Sequence, residues 1–142
     1  MSIYLDASSL VPTVVEEPAS AAVRAYLATR PDRLISDFAA AEVASALSRL
    51  VRTGLLTAVE GAARLADFDA WRAAVSSPAD IHAADARLAF AYVRRFELML
   101  RAADALHLAI ANRLQATLVT LDRRLQRAAG ELGVAVEVPG TT

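Results

Sequence analysis

Apolar residues fall along this chain in two rhythms. Short, mainly apolar runs occur at Ile3, Tyr4 and Leu5, at Leu34 and Ile35, over residues 117–121, where Thr117 and Thr120 join them, and over residues 134–138, where Glu137 interrupts. They are rich in branched or aromatic side chains and too short for helices, which predicts buried strands. Between them, apolar positions recur every three or four residues, the period of a helix with one buried face. Ala22, Val23, Tyr26 and Leu27 mark one such helix, with Pro18 expected in its first turn and Arg30, Pro31 and Asp32 ending it. Val43, Ala46, Leu47 and Leu50 mark a longer one over about residues 38–53. Ser36 and Asp37 compete to cap its start, and Gly54 suits the turn that ends it. Thr57 and Glu60 form a capping box that opens a helix to about residue 73, on which Phe68 and Trp71 lie one turn apart.

The second half continues the alternation. Residues 74–77 read as a short extended piece, Pro78 as a break, and residues 81–95 as another helix. Residues 97–101 connect it to a segment, residues 102–111, whose polar side chains are Asp104 and His107 alone; such a helix is buried on most sides. A last helix is expected over residues 125–132, turned at Gly133. Strands separated by helices imply βαβ units and a parallel sheet covered on both faces. The 142 residues contain no repeat or linker, so one helix-rich α/β domain spans residues 1–142.

Composition narrows the chemistry. There is no cysteine, which excludes a disulfide framework, a thiolate zinc site and a cysteine nucleophile. No window of 18 residues is apolar and uncharged, and Asp6 follows the first strand with no basic segment before it. Neither a membrane span nor a signal peptide is therefore expected, and the expected location is the cytoplasm. The net charge of −1 is not that of a dedicated nucleic-acid binder. All 15 basic residues are arginine, and they gather in the second half: residues 85–127 hold eight of them against Asp85, Glu97, Asp104 and Asp122. That excess either attracts phosphate or is a solvated helix surface.

The acids carry more information than the bases. Asp6 and Asp122 each end a predicted strand; Glu42 and Asp104 each sit near the start of a helix, beside its apolar face. In a parallel sheet those places share one edge, the edge where ligands bind. Each acid has a plain alternative: Asp6, Asp104 and Asp122 as helix caps, Glu42 as a surface residue. Ser8 is itself a possible cap for a short helix over residues 9–11. Taken together, four carboxylates in one half-buried pocket require a cation or shared protons. Oxygen ligands without cysteine point to Mg²⁺ or Mn²⁺, and such a site activates water against a phosphodiester. His107, one turn after Asp104, reads as a core or supporting residue rather than a ligand, and His82 carries no signal. Ser8 and Thr120 can bond an acid, a metal-bound water or local backbone.

These residues resemble the PIN-domain ribonucleases, and among them the VapC toxins of prokaryotic toxin–antitoxin pairs. The likeness rests on Tyr4-Leu5-Asp6-Ala7-Ser8, on Ser36 followed by Glu42 and Val43, on the unbroken string from Ala103 to Ala109, and on Thr120-Leu121-Asp122. It implies a PIN-like fold with a short, mostly parallel sheet flanked by helices. It also implies a Mg²⁺- or Mn²⁺-dependent endoribonuclease acting on structured RNA of the tRNA or rRNA class. Carried over, Asp6 and Asp104 hold the metal, Asp122 is the peripheral metal-binding acid, Glu42 completes the catalytic four, and Ser8 and Thr120 support them. The expected partners are a VapB-like antitoxin and a second copy in a homodimer, to which Phe68 and Trp71 would offer apolar surface. Residues 96–101 depart from the glycine-containing stretch the resemblance leads one to expect. A receiver domain is excluded by the missing lysine, and a haloacid-dehalogenase-type phosphatase by Ser8 where a second Asp is needed. A PIN-fold interaction module without activity is the remaining alternative.

Overall fold

The computed structural model describes residues 1–141. Its centre is one sheet of five parallel strands in the order β3-β2-β1-β4-β5. These are β1 (Ile3–Leu5), β2 (Arg33–Ser36), β3 (Ser77–Ala79), β4 (Thr117–Val119) and β5 (Val136–Glu137). From β1 the chain steps outward to β2 and β3, then returns to β4 on the other side of β1. Parallel crossovers are right-handed, so that reversal sends the later helices to the opposite face.

The two cores follow from it. One face packs Ile3, Leu5, Ile35 and Val119 under α1 (Ala7–Leu10), α2 (Ser20–Ala28), α3 (Asp37–Arg52) and α4 (Ala58–Val75). The other packs Tyr4 and Leu118 under α6 (Ala102–Leu114) and α7 (Arg123–Leu132), with α5 (Ala83–Val93) laid against α6. Successive strand residues point to opposite faces, so Tyr4 meets α6 while its neighbours meet the first group. The helix α6 buries Ala105, His107, Leu108, Ala109, Ile110 and Ala111, as its nearly all-apolar sequence requires.

Four local expectations are corrected. Pro78 does not break the chain but lies within β3, opposite Ile35; β3 is an edge strand, where a residue lacking N–H is tolerated. Pro18 precedes α2 in a turn instead of opening it, and Ser20 Oγ accepts the Glu17 N–H at 2.8 Å. The short helix after β1 starts at Ala7 and is capped by Asp6, not Ser8. Phe68 is core, stacked on Trp71 with ring centroids 6.3 Å apart, so it offers no surface for assembly. The exposed large apolar side chains are instead Met1, Leu55, Val59, Ile81, Phe90, Phe96 and Met99.

The connector before α6 is a single 3₁₀ turn, Phe96–Leu98, closed by Met99 in a left-handed conformation with φ 55°. A glycine reaches that conformation without Cβ strain, whereas an L side chain pays roughly 1 kcal/mol or more. Met99 is exposed and gives up little packing. Met99→Gly is therefore expected to leave the melting temperature unchanged or higher in calorimetry. A drop of several degrees would show that the methionine side chain holds the turn.

Candidate active site

Because β1 and β4 are neighbours and run parallel, the residues that follow them share one edge of the sheet. Asp6 lies there, 3% exposed. Its Oδ1 accepts the Ser9 N–H at 3.0 Å and the Ser8 hydroxyl at 2.8 Å, and its Oδ2 accepts the Thr120 hydroxyl at 2.6 Å. The same hydroxyls brace the turn after β4: Ser8 Oγ accepts the Leu121 N–H at 2.9 Å, and Thr120 Oγ1 accepts the Asp122 N–H at 3.0 Å. Burial pushes the Asp6 carboxyl above the usual range; the bonds from Thr120 and Ser8, the nearby His107 and the Ser9 amide oppose that without cancelling it. Asp6 is thus both a helix cap and a charged group held at the floor of the edge.

Asp104 sits in the first turn of α6, half-buried. Burial raises its carboxyl, and Asp122 and Asp6 raise it further, against Arg101 and His107. Asp104 therefore lies within electrostatic reach of both Asp122 and Asp6. Asp122 caps α7, its Oδ1 accepting the Arg124 N–H at 2.9 Å, so its capping role is real as well. Among the described residues, no three His, Asp or Glu side chains close into a group that encloses a metal ion.

Glu42 approaches from α3, half-buried, and its Oε1 meets His107 Nε2. The ring's Nδ1 lies 2.7 Å from the Tyr4 hydroxyl, which lies 2.8 Å from Ser36 Oγ. Burial raises the Tyr4 hydroxyl's pKa; the Ser36 bond lowers it, and the negative charges of Asp6 and Glu42 add to the rise. The structure therefore binds Asp6, Ser8 and Thr120 directly together, sets Asp104 under the charges of Asp122 and Asp6, and holds Glu42 on a separate chain through His107, Tyr4 and Ser36. Tyr4 and Ser36 went unrecognised as polar participants in the sequence, where one reads as a strand residue and the other as a cap. The available signal was chemical: a buried tyrosine hydroxyl needs a hydrogen-bond partner. Arg101, Arg123 and Arg124 are exposed next to Asp104 and Asp122 in the chain, so part of the arginine excess flanks this edge.

The chain matches the PIN domain family over residues 3–131. It is 38% identical over 141 residues to the ribonuclease VapC46 of Mycobacterium tuberculosis strain ATCC 25618 / H37Rv, a match covering 97% of this chain and 98% of that relative. The solved structure of M. tuberculosis VapC20, a sarcin-ricin loop cleaving toxin, superposes with a TM-score of 0.72 at 18% identity, covering 89% of this chain and 95% of that one. A chain of VapBC2 from Rickettsia felis, bound to promoter DNA, does so with a TM-score of 0.71 at 17% identity, covering 98% and 99%. At such identities the two structures speak for the fold alone. The family match and the VapC46 likeness go further, and on them this protein belongs to the PIN-domain family, in its VapC group.

Proposed function

We propose that this protein is the toxin of a VapBC-type pair: an endoribonuclease that hydrolyses phosphodiester bonds of structured RNA, of the tRNA or rRNA class, with Mg²⁺ or Mn²⁺. The observation that carries the reading is the placement of Asp6 and Asp122 after the parallel neighbours β1 and β4 and of Asp104 in the first turn of α6; burial, then Asp122 and Asp6, push the Asp104 carboxyl up, as such a placement would. An oxygen-only set of mutually repelling carboxylates is a fitting donor set for a hard divalent cation. Asp6 and Asp104 would hold it, with Asp122 at the rim. When bound, the ion supplies an activated water and charge neutralisation at the attacked phosphate.

The chain's own residues do the rest. Ser8, Ser9 and Thr120 keep Asp6 in one orientation. Glu42 Oε1 is engaged by His107, and its Oε2 has no hydrogen-bond partner among the described residues, so it can take a proton from the attacking water. Arg101, Arg123 and Arg124 offer guanidinium groups to RNA phosphates. VapC46 is named a ribonuclease, and the structural neighbours include VapBC2 as a complex, which supports a VapB-like antitoxin partner. Exposed Phe90 and Phe96 favour a homodimer. Among the described residues no helix is long and apolar enough to cross a membrane, which suits work on cytoplasmic RNA.

The test is cleavage of bacterial total RNA by the purified protein. Discrete cuts with Mn²⁺ or Mg²⁺, abolished by EDTA, are expected, and induction without an antitoxin should arrest bacterial growth. Full activity in excess EDTA would refute the metal mechanism. A folded protein that cuts no RNA and leaves growth unaffected would instead be an interaction module.

A further inference from the structure

The contacts behind Glu42 form one continuous chain. Ser36 Oγ accepts the Ala39 N–H at 3.0 Å, Tyr4 stands 2.8 Å from Ser36 and 2.7 Å from His107 Nδ1, and His107 Nε2 meets Glu42 Oε1. Tyr4, Ser36 and His107 are all buried, and Phe38 covers the imidazole with ring centroids 5.3 Å apart. The members come from β1, β2, α6 and α3, so four elements must be in place for the chain to close.

Its direction follows from what each group can donate. An ionised carboxylate only accepts, so the Nε2 of His107 carries a proton. In a neutral ring, Nδ1 then accepts, and the one phenolic proton of Tyr4 goes to it. The Tyr4 oxygen in turn accepts from Ser36, whose oxygen takes the Ala39 amide. Every buried polar atom of the chain is satisfied by that single arrangement, which makes it rigid. A glutamate has three side-chain torsions to lose, and a partner fixed this way removes much of that freedom.

We infer that His107 is a positioning residue, which acts through the buried Ser36–Tyr4–His107 chain to hold Glu42 by one carboxylate oxygen and leave the other for the reaction. The inference deepens the nuclease reading and rests on it for its consequence, but the chain itself can be observed without any substrate. The competing explanation is that His107 only fills the core.

Two measurements separate them. The first is ¹⁵N NMR of the imidazole in the metal-free protein. A proton on Nε2, a bare Nδ1 and an Nε2–H protected from solvent exchange are expected. Tyr4→Phe should shift the Nδ1 resonance, and Glu42→Ala should remove the exchange protection. A proton on Nδ1 with bare Nε2, or no response to either variant, would overturn the inference. The second measurement is steady-state cleavage by His107→Leu and His107→Gln. Leucine keeps bulk and loses both bonds; glutamine has a carbonyl for Tyr4 and an N–H for Glu42. His107→Leu should lower kcat by about 10- to 100-fold with KM unchanged, and His107→Gln should recover most of that. Equal losses in the two variants, or a rise in KM with kcat intact, would also overturn it. If His107→Leu fails to fold, Tyr4→Phe takes its place, with a smaller fall in kcat at constant KM expected. Should the protein cut no RNA at all, the nuclease reading fails while the NMR measurement still decides whether the chain exists.

Discussion

Asp85→Ala is expected to cost about 1–3 kcal/mol in urea unfolding, the usual loss when the partners of a buried charged group are left unsatisfied, short of a fully buried ion pair because Arg113 is partly exposed. Asp85 is 2% exposed, in the first turn of α5. Its Oδ1 accepts from Arg113 Nε at 2.8 Å and its Oδ2 from Arg113 Nη2 at 3.0 Å, a two-pronged pair between α5 and α6. Oδ2 also accepts the His82 N–H at 2.8 Å, and Arg113 reaches the Asp80 carbonyl. Alanine would strand the guanidinium and the His82 amide together. Burial pushes the Asp85 carboxyl upward, but the Arg113 bonds and the His82 amide outweigh it, and the folded value lies below the usual range. A depressed carboxylate stabilises the fold above its unfolded pKa and loses that contribution as pH falls through the folded one. Wild type should therefore lose stability in acid below the ordinary carboxylate range, and Asp85→Asn should flatten that part of the profile. Replacing both partners, Asp85→Leu with Arg113→Met, should recover a large part of the loss, since nothing charged is left unpaired. A single-variant cost under about 1 kcal/mol would mean that water reaches the pair and screens it.

That ion pair also marks the limit of what the sequence discloses. The strands were legible because β1 and β4 are short apolar runs between helical patterns, and the reversal of strand order around β1 follows from no local signal. Pro78 misled because a proline reads as a break unless the strand is known to lie at an edge. Phe68 and Trp71 misled because an apolar pair on one helix looks the same whether it faces the core or a partner. The acids were legible because strand ends and helix starts share an edge in any parallel sheet, whatever its order. What held Glu42 was not, because the distance in sequence from Tyr4 to His107, and from His107 back to Glu42, is closed only by packing. Of the two readings of Asp6 and Asp122 weighed as rivals in the sequence, the structure shows the cap, Asp6 for α1 and Asp122 for α7, and a cap does not exclude the site reading, because a carboxylate that accepts helix amides keeps its charge.

Asp6→Asn should abolish RNA cleavage and yet leave the metal-free protein as stable as wild type, or more so. Asparagine keeps the shape and remains a good helix cap, its Oδ1 still able to accept the Ser9 N–H. Its amide would face Ser8 and Thr120, whose hydroxyls can turn to accept it. What disappears is a charge that burial disfavours and that also raises Asp104. Both carboxyls are raised in the folded state, so the fold binds more protons there than the unfolded chain. Their cost is absent at low pH and grows as pH rises through the unfolded value, until the folded values are passed. In EDTA, wild type should lose this contribution across that window, and Asp6→Asn should lose less of it. Mn²⁺ reverses the balance: a ligand at 100 times its Kd adds about 2.7 kcal/mol by mass action, so it should raise the melting temperature of wild type and do so much less in the variant. Asp122→Ala supplies the contrast, since its bonds to the Arg124 and Leu125 amides cap α7: their loss should cost about 1 kcal/mol in EDTA, and, with Asp122 only at the rim, the variant should keep more of the Mn²⁺ effect than Asp6→Asn does. Thermal melts of the three proteins, in EDTA and then in Mn²⁺, make the comparison. If Asp6→Asn melts well below wild type in EDTA and Mn²⁺ leaves wild type unmoved, then Asp6 is a cap alone, and the carboxylates at this edge do not work as one metal site.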